Sequence, residues 1–309
     1  MRFSVETWAP EYGASVNWPS IEETDDEVDV EVEKRISDWA PIDSLPPTIP
    51  EEIVFIDGIQ RIDARIWIHH EGLSTPAVCA SLAAGATICR PGQALIEDVK
   101  VCRVLIAPAS SPATPIKTRH AVYEFAPAAD ATPEATYRAI HDRRHHMETR
   151  VAAAIRSDLI VFDGPLRGRN HHNAVGYVKT HHRFYLPDGL KPVLGDLGDG
   201  QRTPLFLIGG GPGGGRWSWY LRLPGPRAHP FAGIVRLELP GVGTADEAVA
   251  RVGLVGSCLP RFASEPHRES RSPQNLYPIA GLERQLRQRL GDQVFLDREL
   301  RIMAAGGTM

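Results

Sequence analysis

Two apolar stretches of the chain run straight into an Asp-Gly pair, IVFIDG at Ile53–Gly58 and LIVFDG at Leu159–Gly164. Apolar runs of this length without polar alternation are typical of strands that are covered on both faces. The pattern places Asp57 and Asp163 where each strand leaves the core, and the glycine permits a tight turn. Asp-Gly is a common turn pair on its own. Two such aspartates also suit the paired carboxylates of a divalent-metal site.

The first half of the chain predicts strands before any helix. Asp63–His69 alternates as a strand does, and Ala121–Phe125 fits another. The stretch from Thr75 to Arg90 is rich in small residues and fits either a helix or a strand, while Ala94–Ala107 predicts a pair of strands. Strands that follow one another through short connections indicate an antiparallel meander.

The first helix is predicted to begin after Thr132 and to run to about Arg156. Threonine suits the N-cap, Pro133 suits the first helical position, and an acid in the first turn suits the helix dipole. Glu148 lies on or beside the apolar stripe of this helix, where a carboxylate is costly to bury alone. It therefore either reaches the edge of the stripe, pairs with a nearby arginine, or serves as a third metal ligand.

The second half predicts a pair of neighbouring strands, Trp217–Leu223 and Gly233–Leu239, and then a helix over Gly243–Val255. The block from Ser272 to Asp292 predicts a loop followed by an amphipathic helix. Arginines concentrate in and around this block, and they form either a solvated helix face or a surface that follows phosphates.

A glycine run at residues 209–215 fits the dinucleotide fingerprint G-x-G-x-x-G through Gly209, Gly211 and Gly214. That fingerprint requires a helix directly after the glycines. The residues that follow, RWSWYLRLPGP, predict a strand and a turn instead. A mobile glycine loop is therefore the favoured interpretation, and a flavin- or NAD-binding enzyme is an alternative.

Composition and charge describe an ordinary globular chain with one unusual segment. The sequence is 42% hydrophobic and 23% charged, and its four cysteines lack CxxC spacing, which favours reduced thiols. It contains neither a run of eighteen apolar residues nor a signal-peptide pattern, so a cytoplasmic protein is expected, with no membrane partner. Eight acids and no basic residue lie between Glu22 and Glu33, and removing their charge from the net −4 leaves +4 on the rest.

This acidic segment defines the predicted domain organisation. Residues 1–48 form an acidic arm, and residues 49–309 form one enzymatic domain. The arm is either a loosely ordered leader or a docking segment for a basic partner, with Trp18, Trp39 and Ile42 as its apolar anchors.

Taken in order, the motifs FIDG, METR, VFDGPL, GYVK, RLELP and a YP-containing block resemble the NurA nuclease family over residues 50–295. The resemblance implies an α/β fold, an RNase H-like mixed sheet flanked by helices, and a homodimer. It implies DNA cleavage with Mn²⁺ or Mg²⁺ by a two-metal mechanism, as a 5′–3′ exonuclease, an endonuclease or both. It also implies work with a hexameric HerA-type ATPase and translocase in DNA end resection, repair or antiphage defence.

The resemblance also implies roles for particular residues. Asp57, Asp163 and Glu148 match the acids of the family, although Glu124 is a rival for the third position. Tyr277 matches the tyrosine of the YP block, and Lys179 would hold a phosphate. Gln285 stands where the family has a histidine, and its oxygen would be a weaker metal ligand. This departure leaves an alternative, a DNA-binding or structural subunit whose metal site has decayed.

Overall fold

The computed structural model describes residues 27–44, 50–166, 168–169, 171–180, 184–209, 215–227 and 229–306. It is an α/β protein in which a large mixed sheet is flanked by helices, so the predicted fold class is confirmed. The chain divides into two compact units. Unit 1 comprises Met1–Phe55, Cys89–Ala94 and Ser157–Ala280, and unit 2 comprises Ile56–Ile88, Leu95–Arg156 and Gly281–Met309.

The first half of the chain is mostly strand, and the second half alternates strands with helices. The first half holds β1 (Val28–Asp29), β2 (Ile42–Asp43), β3 (Ile53–His70), β4 (Leu73–Arg90), β5 (Gln93–Pro108), β6 (Ile116–Lys117), β7 (Val122–Ala128) and α1 (Pro133–Ala153). The second half holds β8 (Leu159–Asp163), β9 (Ala174–Val178), α2 (Pro192–Asp196), β10 (Gln201–Arg202), β11 (Phe206–Ile208), β12 (Gly215–Arg222), β13 (Ile234–Gly241), α3 (Ala245–Cys258), α4 (Tyr277–Arg289) and α5 (Gln293–Gly306).

Unit 1 contains the strand order β1-β11-β12-β13-β9-β8, with β10 paired to both β12 and β2. The predicted neighbours β12 and β13 form an antiparallel pair, and β9 pairs antiparallel with β13 and parallel with β8. The predicted helix α3 begins with a capping box formed by Thr244 and Glu247. The apolar faces of these elements share one core, in which Trp219 and Tyr177 are fully buried.

The glycine run joins two antiparallel strands rather than a strand and a helix. Strand β12 begins at Gly215 and pairs antiparallel with β11, which ends at Ile208. Residues 210–214 lie outside the described residues. Because the dinucleotide fingerprint needs a helix directly after its glycines, the flavin or NAD alternative is wrong for this run.

Part of the predicted arm is folded into unit 1. Strand β1 pairs with β11 and β2 pairs with β10, so Ile42 lies opposite Arg202. Trp39 is buried at 8% exposure, and its Nε1 donates a hydrogen bond to the Val30 carbonyl. Residues 27–44 are therefore not a loose leader, and Trp39 is not an exposed anchor. Trp18 and the rest of residues 1–26 lie outside the described residues, so their docking role stays a prediction.

Unit 2 is built on three long strands, β3, β4 and β5, that are neighbours in the sheet. The stretch from Thr75, left open between helix and strand, is strand β4. Two-residue turns at Glu71–Gly72 and Pro91–Gly92 join the three strands, and such short turns connect only antiparallel neighbours. The meander ends there, because β7 pairs parallel with β5. The predicted strand pair within β5 is wrong, since one strand of 16 residues continues through Asp98 at a φ of 50°.

The predicted turn at Asp57–Gly58 is also wrong, because β3 continues for twelve residues beyond Gly58. The glycine serves packing here. A Cβ at Gly58 would lie 2.5 Å from Oε1 of Glu148 and 3.0 Å from Cγ of Arg144, both on α1. Asp57 is therefore a mid-strand residue over which a helix passes closely.

The helices of unit 2 match the sequence except at the C-terminus. Helix α1 begins as predicted, with the Thr132 side chain accepting from the Ala135 N–H and Pro133 at its first position. Helix α5 is not predicted, and it packs Leu296 and Leu300 into an apolar cluster with Leu105. Among the described residues, no helix is both long enough and apolar enough to cross a bilayer.

Candidate metal centre

Asp163 ends β8 as the sequence predicts, and a fixed turn follows it. Gly164 adopts a φ of 102°, which favours glycine, and exchanges two backbone hydrogen bonds of 2.8 and 3.0 Å with Tyr177 of β9. Two residues further, the Leu166 N–H donates to Oε2 of Glu238, a residue with no exposed surface. These buried contacts hold the Asp163 carboxylate in place at the end of its strand.

Lys179 lies beside this carboxylate. It directly follows β9, and its Nζ donates to Oδ2 of Asp163 at 2.8 Å and to Oδ1 of Asn275 at 2.7 Å. The Lys179 side chain is 8% exposed and that of Asp163 is 18% exposed, so the pair is only partly hydrated. Hydrogen bonds between charged groups are strong in such surroundings.

Two further basic residues, Arg167 and Arg169, follow Asp163 closely in the sequence. Arg169 is buried, with its guanidinium carbon 4.1 Å from the centre of the Phe162 ring. Arg167 lies outside the described residues. Lys179 is therefore the basic residue whose contact with Asp163 the structure defines, through a direct hydrogen bond.

Asp57 and Glu148 both lie next to Gly58. Asp57 is 4% exposed, and its Oδ1 accepts from the Gly58 N–H at 2.7 Å. Nη1 of Arg144 donates to Oε1 of Glu148 at 3.0 Å and to the Gly58 carbonyl at 2.7 Å. The sequence left open whether Glu148 pairs with an arginine or binds metal, and this pairing is present. The rival acid, Glu124, is exposed on β7.

Two of the carboxylates of unit 2 lie close together. One oxygen of Asp57 and one of Glu283 are within 4.8 Å of each other. Asp57 and Glu283 are nearly buried, at 4% and 8% exposure. Carboxylates this close repel each other when ionised, and a cation relieves that repulsion. Carboxylate oxygens are the donors that Mg²⁺ and Mn²⁺ prefer, so this pair of residues fits such an ion.

Glu283 is a member that sequence reasoning missed. It lies on α4 at helical spacing from the buried residues Ile279, Leu286 and Leu290, so it belongs to the covered face of that helix. The sequence does contain a signal for Glu283, because it is an acid on the apolar stripe of a helix. The same pattern is the reason for naming Glu148 as a candidate ligand.

The two predicted site residues of α4 are placed differently. Tyr277 is the first residue of the helix, and its hydroxyl donates to Oε2 of Glu265 and accepts from the Glu265 N–H, both at 3.2 Å. Gln285 is half-buried and follows Glu283 by two positions. Residues two apart do not share a helix face. The helix therefore favours Glu283 over Gln285 as its ligand, and the predicted role of Gln285 stays untested.

A buried hydrogen bond of Tyr177 connects β9 to the segment that precedes α4. Its hydroxyl donates to the Gln274 carbonyl at 2.7 Å. Complete burial, together with the nearby Asp163 carboxylate, raises the pKa of Tyr177 well above its ordinary value of 10. The hydroxyl is therefore protonated at physiological pH and acts as a fixed donor between β9 and the segment that precedes α4.

No protein-family model matches the sequence, and no curated protein matches it either. Among solved structures, the chain is similar to the crystal structure of the NurA nuclease from Sulfolobus solfataricus, with a TM-score of 0.48 and 12% identity over 82% of this chain and 84% of that chain. It is also similar to endonuclease V from Bacillus subtilis, with a TM-score of 0.33 and 12% identity over 79% and 84% of the two chains. NurA is the family that the sequence motifs resemble.

Proposed function

We propose that this protein is a metal-dependent DNA nuclease that hydrolyses phosphodiester bonds. The observation that carries the proposal is the pair of nearly buried carboxylates Asp57 and Glu283 in unit 2, whose oxygens lie within 4.8 Å of each other. Asp163, which ends β8 in unit 1, is proposed as the third carboxylate of the site. The buried Lys179 bonded to Asp163 supports the proposal, because a phosphate-bearing substrate needs a positive group at such a site. The ordered series of motifs over residues 50–295 supports DNA as the substrate.

The residues then have distinct roles. Asp57, Asp163 and Glu283 would hold Mn²⁺ or Mg²⁺, and Lys179 binds a phosphate oxygen of the substrate. A divalent cation bound there supplies an activated water and offsets the charge on the leaving oxygen. Tyr277 orients the DNA by stacking on a base or by hydrogen bonding. Glu148 either completes the ligand set or, through Arg144 and Gly58, positions the strand segment that carries Asp57.

The partners follow from the same resemblance. We infer a homodimer that acts with a hexameric HerA-type ATPase in DNA end processing or antiphage defence. A stable complex of the two proteins in size-exclusion chromatography is the expected outcome. Separate elution of the two proteins would contradict the inferred partnership.

Cleavage of labelled linear and circular DNA tests the proposed function. With Mn²⁺ the wild-type protein is expected to degrade linear DNA, and EDTA is expected to stop the reaction. Asp57→Ala, Asp163→Ala and Glu283→Ala are each expected to abolish cleavage, whereas the control Glu97→Ala, which removes an exposed carboxylate from β5, is expected to leave it intact.

Cleavage of the circle separates endonuclease from exonuclease activity. A wild-type rate in any of the three variants of Asp57, Asp163 and Glu283 contradicts the assigned site. A wild-type protein that binds DNA but does not cleave it with Mn²⁺ contradicts the proposed function and favours a DNA-binding subunit.

A further inference from the structure

The ammonium group of Lys179 is shared between a charged and a neutral acceptor. It donates to the Asp163 carboxylate at 2.8 Å and to the side-chain oxygen of Asn275 at 2.7 Å. A lysine ammonium has three N–H donors, and bonds to described residues occupy two of them. Neither the sequence motifs nor the proposed roles include Asn275.

The Asn275 acceptor is held firmly. Asn275 has no exposed surface, and its backbone N–H donates to the Arg271 carbonyl at 2.9 Å. The backbone carbonyl of the adjacent Gln274 accepts from the Tyr177 hydroxyl at 2.7 Å, and the Gln274 Nε2 lies 3.4 Å from two carbonyl oxygens, those of Phe231 and Ile234. The segment is thus tied to β9 and to the start of β13, and the Asn275 oxygen has a defined position.

We propose that Asn275 is a positioning residue that retains the Lys179 ammonium at the site while Asp163 changes partners to a divalent cation. The inference rests on the proposed function, because it takes Asp163 as a ligand. In the metal-free protein the ammonium neutralises Asp163. When the cation binds, the ammonium keeps its bond to Asn275 and its other donors face the substrate phosphate.

Asn275 can hold the Lys179 ammonium in this way because its side chain is uncharged. The ammonium and the cation compete for the same carboxylate and repel each other, so Lys179 weakens cation binding. A neutral amide oxygen gives the ammonium a second partner without adding a negative charge that would pull it away from the phosphate. Removing that oxygen leaves Asp163 as the stronger partner of the ammonium and increases the competition.

Mn²⁺ affinity, measured without DNA by electron paramagnetic resonance of the free ion, tests this inference. Lys179→Met removes the competing charge and is expected to tighten Mn²⁺ binding by at least about tenfold, because two unit charges at ~4 Å repel by ~1 kcal/mol even in water and the cation carries two. Asn275→Ala is expected to weaken Mn²⁺ binding. In the Lys179→Met background, Asn275→Ala is expected to have no further effect, because it acts through the ammonium.

The two single variants are expected to change the Mn²⁺ affinity in opposite directions. General structural damage to the site would instead weaken Mn²⁺ binding in both variants. Equal weakening by Asn275→Ala in both backgrounds would overturn the inference, and so would looser binding in Lys179→Met. If Asn275→Ala does not fold, Asn275→Asp provides the test. Its carboxylate is expected to draw the Lys179 ammonium away from Asp163 and so to tighten Mn²⁺ binding. An unchanged Mn²⁺ affinity in Asn275→Asp would overturn the inference. Wild-type protein that binds no Mn²⁺, or binds it equally well as Asp163→Ala, refutes the proposed function instead.

Discussion

Glu33 is expected to be a major stabilising residue of unit 1, although it is the last member of an acidic run. Its carboxylate accepts two hydrogen bonds from Arg202, at 2.7 and 2.8 Å, and one from the Leu205 N–H at 2.6 Å. The side chains of Glu33 and Arg202 are 9% and 6% exposed. A fork of this kind ties residues 27–44 to β10 and to the segment that follows it.

The size of the effect follows from burial. Glu33→Ala leaves the guanidinium of Arg202 buried without its carboxylate, and removing one partner of a buried pair costs about 3–5 kcal/mol. Glu33→Gln keeps the volume and one acceptor oxygen, so it is expected to cost less, about 1–3 kcal/mol for the lost charge-assisted bonds. Glu27→Ala removes an exposed acid from the same segment and serves as the matched control, with a change within about 0.5 kcal/mol.

The contribution of Glu33 also depends on pH. Burial alone would raise the pKa of its carboxyl, but the bonds and charge of Arg202 and the Leu205 N–H outweigh burial and hold the pKa below its ordinary value of 4.5. The unfolded chain therefore takes up this proton first as the pH falls. The stabilisation is complete above about pH 4.5 and is lost as the pH falls through the folded value.

Urea unfolding followed by tryptophan fluorescence measures the loss of stability, and hydrogen exchange at the Leu205 amide reports the local bond. Glu33→Ala is expected to lower the unfolding midpoint at pH 7 and to lose protection at Leu205. The difference from wild type is expected to shrink below pH 4.5. If Glu33→Ala and Glu27→Ala have the same midpoint at pH 7, the pair does not stabilise unit 1 and the reasoning fails.

Three further predictions concern the candidate site and the arm. Gly58→Ala is expected to destabilise the protein by about 1–3 kcal/mol and to reduce Mn²⁺-dependent cleavage, because its Cβ would meet Glu148; Gly253→Ala, where a Cβ meets nothing within 4 Å, is the control in thermal melts. Gln285→His is expected to leave Mn²⁺ affinity unchanged, and tighter binding in a titration would place residue 285 at the ion. Deletion of residues 1–26 is expected to weaken co-elution with the translocase and to leave basal cleavage intact, and an unaltered complex would locate docking elsewhere.

The two Asp-Gly pairs show what local sequence can predict. At Asp163 the pattern is correct, because Gly164 takes a positive φ that the turn requires. At Asp57 the same letters lie inside a continuous strand, and the glycine is there because α1 crosses at contact distance. The local sequence shows that a glycine can adopt a turn conformation. It does not show that a helix distant in the sequence packs against that glycine. Turn prediction from a dipeptide therefore succeeded at one pair and failed at the other.

The choice between Glu283 and Gln285 shows a related limit. Counting from Tyr277 along the family motif leads to Gln285, whereas counting from the buried leucines of α4 leads to Glu283. A motif spacing fixes a position along the chain, but a metal ligand must also lie on the correct face of its helix. The period of the helix sets that face, and two positions correspond to nearly opposite sides. For an acid on an amphipathic helix, the apolar positions of the helix are thus the better reference, and in α4 their spacing alone selects Glu283.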